Sequence, residues 1–216
     1  MATSDSQVGD GPQDRDRSDT EFAALLDAAR LGDGRAFERI FRWLSPSVAA
    51  YAAASRVPDD VEIASEAFRR AFQRLDRFEG GPSGFRAWVF AIAHRLVMAS
   101  VPDDGGGRSV TVTAPAPRIG PDPHPGSSPG SAPGVAGDPS DTERSPHADP
   151  AVERLITMVA DLNPEQRSVV LLRLLGPLSV DEVGYVLDKP ATAVAALQRR
   201  ALRRVQSRVL LEMVIP

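Results

Sequence analysis

The chain has 216 residues, no Cys and a net charge of −4, which leaves room for one sizeable domain or two small ones and excludes disulfides, thiolate metal sites and cysteine nucleophiles. The polar N-terminus, with Asp5, Asp10, Asp14 and Asp16, lacks the apolar run of a signal peptide. No stretch approaches the roughly 18 apolar residues of a membrane span, so a cytoplasmic protein without membrane insertion is expected.

Residues 1–18 are expected to be a disordered tail. Phe22, Leu25, Leu26 and Ala29 then fall on one face of a helix, capped by Thr20 or Asp19 and ended by Gly32-Asp33-Gly34. A second helix starts near Arg35 and aligns Phe37, Ile40, Phe41 and Leu44, and Pro46 predicts a kink or a new start in it. A third runs from about Asp59 to Arg77 with Val61, Ala64, Phe68, Ala71, Phe72 and Leu75 inward. After the turn Glu79-Gly80-Gly81-Pro82, a fourth carries Phe85, Trp88, Val89, Ile92, Leu96 and Val97. Residues 19–101 are thus expected to form one helical domain.

From 102 to 149 the chain is mostly Pro, Gly, Ser and Asp and carries a net −4. Too little apolar surface is available there to offset the ordering entropy, so this stretch is expected to be a flexible, disordered linker between two domains that move independently. Residues 150–216 carry +2 and resume the helical pattern. Ala151–Leu162 is amphipathic, Asn163-Pro164 caps and starts the next helix, and Gly176-Pro177 stops it. Ser179-Val180-Asp181-Glu182 is a capping box. It opens a short helix that reaches Leu187, and after Asp188-Lys189 a long basic helix begins at Pro190. Short helix, tight turn and longer basic helix make a helix-turn-helix. The fold class expected is all-α, two small helical domains joined by a Pro/Gly-rich linker.

A helix-turn-helix places its second helix in the major groove. Thr192, Gln198 and Arg199 suit base edges, and Arg200, Arg203 and Arg204 suit phosphates. An Arg-rich helix end also serves as a solvated face that complements the helix dipole. His94, His124 and His147 are too dispersed for a metal site, and Gly105-Gly106-Gly107 follows no strand and lacks the Lys that would hold phosphate. No enzyme activity and no cofactor are expected.

The stretch LNPEQRSVVLLRLLGPLSVDEVGYVL (Leu162 to Leu187), the opening LGDGRAFERIF (Leu31 to Phe41) and DVEIASEAFRRAFQRLDRFEGGPSGFRAWVFAIAHRL (Asp60 to Leu96) resemble the extracytoplasmic-function sigma factors, the small sigma subunits of bacterial RNA polymerase. The resemblance implies a factor that binds core RNA polymerase and promoter DNA and initiates transcription, with an anti-sigma protein as a further partner. It places Glu62 and Glu66 against the polymerase clamp, and Phe78, Arg86 and Trp88 around the loop that takes the melted minus-ten strand. Trp88 and Phe85 also fit the buried face of the fourth helix. The chain departs from the family pattern at Glu62 and Ser65, at Arg95 and Ala99, at Asp188 in place of the turn Gly, and at Ala195 and Leu197 in place of a Lys and an Arg. Two other readings remain: a sigma-like adaptor that binds polymerase or a regulator without reading promoters, and a plain helix-turn-helix regulator.

Overall fold

The computed structural model describes residues 12–57, 60–100 and 150–214, and among these it contains helices and no strand. In chain order they are α1 (Pro12–Arg30), α2 (Gly34–Ala54), α3 (Asp60–Phe72), a 3₁₀ turn (Leu75–Arg77), α4 (Pro82–Ser100), α5 (Pro150–Val159), α6 (Pro164–Leu175), α7 (Val180–Leu187) and α8 (Ala191–Val214). The stretch 102–149, expected to be a linker, lies outside the described residues.

Three boundaries differ from the sequence expectation. Helix α1 begins at Pro12, inside the segment expected to be a tail and ahead of the expected caps at Asp19 and Thr20. Proline is favoured in a first helical turn, and no Gly or Pro interrupts the chain between there and Arg30. Helix α2 continues through Pro46 without a new start. The ring removes one backbone hydrogen bond, but Leu44 and Val48 on either side are buried and hold both halves against the core. Helix α3 ends at Phe72, short of Arg77, and the chain tightens into the 3₁₀ turn so that Leu75 and Phe78 both reach the interior.

Capping at the C-terminal end matches the sequence pattern. The Asn163 side chain accepts from the Gln166 N–H at 2.8 Å to start α6. Ser179 accepts from the Glu182 N–H at 3.2 Å while the Glu182 carboxylate accepts from the Ser179 N–H at 2.6 Å, closing the box at the start of α7. Such a cap is worth about 1 kcal/mol. Asp188 ends α7 in the left-handed conformation, φ 52° and ψ 50°, and its N–H reaches the Tyr185 carbonyl.

The N-terminal helices pack around an aromatic cluster. Trp88, Phe22, Phe68, Phe85 and Phe90 are among the largest fully buried side chains, and edge-to-face pairs such as Phe41 with Phe68, centroids 5.1 Å apart, tie α2 to α3. The two helical segments, expected to move independently, are docked on each other. Helices α5 and α6 lie on α2, and α7 lies on α4. Ala50 and Ala53 meet Val152, and the Phe90 ring lies so close to Gly176 that an added Cβ there would stand 3.2 Å from it. The buried apolar residues of both segments form a continuous core.

Candidate nucleic-acid and polymerase interfaces

In α8, Val194, Leu197 and Ala201 are buried at helical spacing and dock the helix on α6 and α7. The opposite face carries Thr192, Arg199 and Arg203, with Arg200 and Arg204 beside it, all exposed. These four arginines form no ion pair among the described residues, whereas Arg208 further along bonds the Asp161 carboxylate at 2.7 Å and the Thr157 carbonyl at 2.9 Å, tying the helix to α5. Gln198 is half-buried on the flank beside Val194 and Ala201. Leu197, which stands where the family carries a cation, is 8% exposed, so its apolar character serves the interior and makes no outward docking face.

The turn before α8 is close-fitting. A Cβ on Gly184 would stand 2.6 Å from the Lys189 carbonyl, so only glycine fits there. The Lys189 ammonium reaches Glu165 of α6 at 2.8 Å. The outward cations therefore project from a helix whose start, turn and far end are each fixed by named bonds.

The residues expected at the minus-ten loop occupy different settings. Phe78 and Trp88 are 3% and 1% exposed and lie parallel, with ring centroids 5.1 Å apart and planes 4° from parallel. Each ring stacks on the other and meets Phe85 edge-on, so Trp88 lies on the buried face of the fourth helix and, of the residues expected around the loop, neither Phe78 nor Trp88 presents its ring to solvent. Chain folding causes this, because the 3₁₀ turn carries Phe78 inward onto the buried face of α4. Arg86 pairs with Asp19 at 2.9 Å, its guanidinium 5.9 Å from the centre of the Phe22 ring. The loop itself turns Glu79, Gly81 and Ser83 outward. Its backbone is held from α1, where Arg30 Nη2 donates to the Phe78 carbonyl at 3.2 Å and the Gly80 carbonyl at 2.6 Å.

On the side expected to meet polymerase, Glu62, Ser65, Glu66 and Arg69 of α3 face Leu96 and Ser100 of α4 across an open groove. Glu62 is exposed and makes no ion pair among the described residues. Glu66 accepts from Arg69 and Arg70, each at 2.6 Å, and the hydrogen bond from Arg69, more than that from Arg70, holds its carboxyl below the usual range. A partner cation would find Glu62 unengaged and Glu66 already shared.

A further polar contact, at the seam between the segments, escapes sequence reasoning. The Tyr51 hydroxyl lies 2.7 Å from His94 Nδ1. Burial, with help from the Arg95 charge, lowers the imidazole to about 4, so it is neutral near pH 7 and shares a hydrogen bond with the phenol. Burial pushes the Tyr51 phenol well up, opposed by hydrogen bonds from Ser168 and Ser55. Ser168 belongs to α6, so this buried contact crosses the seam. No local pattern signals it, since its members lie on three helices.

The chain matches the family model "Sigma-70, region 4" over residues 159–207. It is 29% identical over 200 residues to the ECF RNA polymerase sigma factor BldN of Streptomyces coelicolor, the match spanning 87% of this chain and 66% of the relative. It is 26% identical over 204 residues to the ECF RNA polymerase sigma factor ShbA of Streptomyces griseus, spanning 89% of this chain and 97% of the relative. Among solved structures, CnrH in complex with the cytosolic domain of CnrY shares the fold, with a TM-score of 0.58 at 18% identity over 87% of this chain and 96% of that one. With region 4 of sigma-70 matched around its helix-turn-helix and sigma relatives aligned along most of its length, the chain is similar to the extracytoplasmic-function sigma factors.

Proposed function

We propose that the chain directs core RNA polymerase to promoters in the cytoplasm and initiates transcription there, without enzymatic chemistry of its own. In this reading residues 19–101 bind polymerase through Glu62 and Glu66 and receive the minus-ten strand at the loop after the 3₁₀ turn, with Arg86 beside it. Residues 150–216 read the upstream element, Thr192, Gln198 and Arg199 at base edges and Arg200, Arg203 and Arg204 at phosphates. The observation that carries the reading is the acid-free arginine face of α8, presented by a helix-turn-helix whose first helix is closed by a capping box and a bonded C-cap. No helix among the described residues is long and apolar enough to cross a membrane.

The docked arrangement bears on how such a factor works. Promoter elements centred about 25 positions apart are separated by roughly 85 Å of duplex at about 3.4 Å per base pair. A folded body of about 150 residues has a radius of gyration of roughly 15 Å. It cannot span that distance, so promoter engagement requires α5–α8 to leave α2 and α4. The stretch 101–149, at about 3.3 Å per residue when extended, is long enough to allow it. An anti-sigma protein, the further partner in this reading, would act by holding the segments away from polymerase and DNA. CnrH, whose fold the chain shares, is seen with the cytosolic domain of another protein, CnrY.

The test is reconstitution of the full chain with core polymerase from a GC-rich bacterium and transcription from a library of promoter fragments from the source genome. Discrete transcripts sharing a minus-ten and an upstream motif are expected. Polymerase binding without any transcript would replace this reading with the adaptor. Transcriptional control that survived deletion of residues 1–101 would replace it with a plain helix-turn-helix regulator.

A further inference from the structure

We propose that Arg30 is the positioning residue of the loop between the 3₁₀ turn and α4, fixing the shape in which that loop receives single-stranded DNA. This rests on the reading of the loop as the minus-ten receiver. The residue lies at the end of α1, some fifty positions earlier in the chain, and one guanidinium nitrogen donates to both the Phe78 and Gly80 carbonyls. Its carbon stands 5.5 Å from the centre of the Phe78 ring. The other terminal nitrogen is held by Asp27, one turn back on the same helix, at 2.8 Å. The guanidinium is thus oriented by α1 and acts on the loop.

The loop is held from a second side as well. Phe78 is stacked on Trp88 in the interior, and a Cβ at Gly80 would stand 2.7 Å from the tip of the Phe78 ring. Two carbonyls turned toward one cation, with the aromatic ring between them immobilised, leave the intervening Glu79 and the following Gly81 facing solvent. Backbone carbonyls in a loop without a ladder need such donors to keep one conformation. A planar, delocalised donor fork satisfies two acceptors and lies against a ring at once, which a lysine ammonium does less well.

The experiment uses holoenzyme assembled from core polymerase and the full chain. The probe is a labelled single-stranded oligonucleotide carrying the minus-ten non-template strand of a promoter that the wild-type holoenzyme transcribes. Arg30→Gln should weaken strand binding about tenfold, the scale of losing charge-assisted hydrogen bonds, while affinity for core polymerase and the upstream footprint stay within about twofold. Arg30→Lys should fall between. Gly80→Ala, which disturbs the loop from the Phe78 side and leaves Arg30 intact, should reproduce the strand-binding loss. Unchanged strand binding in Arg30→Gln, or loss of polymerase affinity in parallel with strand affinity in both variants, would overturn the assignment. If wild-type holoenzyme transcribes the promoter and ignores its isolated strand, the reading of the loop itself fails and the inference falls with it.

Discussion

The Tyr51 hydroxyl of α2 meets His94 Nδ1 of α4 at 2.7 Å, in a place where burial keeps the imidazole neutral down to about pH 4. An unfolded histidine takes up its proton near 6.5. As pH falls through that value the unfolded chain binds protons that the folded chain refuses. Stability from this group is therefore complete above pH 6.5, declines between 6.5 and 4, and levels off below. The full loss approaches about 3 kcal/mol at about 1.4 kcal/mol per unit. Urea unfolding of wild type and His94→Gln at pH 7, 5.5 and 4.5 checks it, since the carboxylates common to both cancel in the difference. A wild-type curve parallel to the variant across that range would refute the prediction.

Trp88 is a structural residue. Trp88→Ala should lower stability by about 3 to 5 kcal/mol, the cost of an emptied aromatic site. Trp88→Phe should cost less than about 2 kcal/mol, because the buried indole N–H has no hydrogen-bond partner to lose. Chemical denaturation measures both. If Trp88→Phe keeps its fold and polymerase affinity but loses promoter opening, the indole touches DNA after all.

Asp188 occupies a left-handed position that glycine enters without steric cost. Asp188→Gly should raise stability by about 0.5 to 1 kcal/mol and leave DNA affinity nearly unchanged. A drop in melting temperature would mean that the Asp side chain supports the turn in a way its backbone angles do not reveal.

The proposed roles of the α8 arginines predict two classes of variant. Arg200→Ala, Arg203→Ala or Arg204→Ala should each weaken promoter binding for all sequences and reduce the salt-dependence slope by about one. Thr192→Ala or Arg199→Ala should instead relax sequence preference at one or two upstream positions, with discrimination falling by about 1 to 3 kcal/mol. Affinities measured across a salt series on two promoters distinguish the classes. Equal slopes in wild type and all three phosphate variants would show that the cationic face does not meet the duplex.

Much of the helical layout could be read from residue order because its causes are local. Asn163-Pro164 and the Ser179–Glu182 box act within one turn, and Phe22, Leu25 and Leu26 report a buried face by spacing alone. The reading failed where a distant partner outweighs a local rule. Pro46 is tolerated because Leu44 and Val48 are clamped by packing, and α3 shortens because Leu75 and Phe78 are drawn into the interior. Leu197 looked like a missing cation because its sequence position does not show which side of α8 it faces.

By itself the sequence determined the all-helical class, the helix-turn-helix and the positions of the α8 arginines, since periodicity, caps and turn chemistry depend only on near neighbours. Tertiary structure decided what side chains do when their partners lie tens of residues away. Phe78 and Trp88 close on each other, Arg30 takes hold of the following loop from α1, and Tyr51, His94 and Ser168 meet across the seam. The physical reason is that burial and hydrogen-bond satisfaction are properties of the packed core, and a core is assembled from residues whose order in the chain does not record their neighbours.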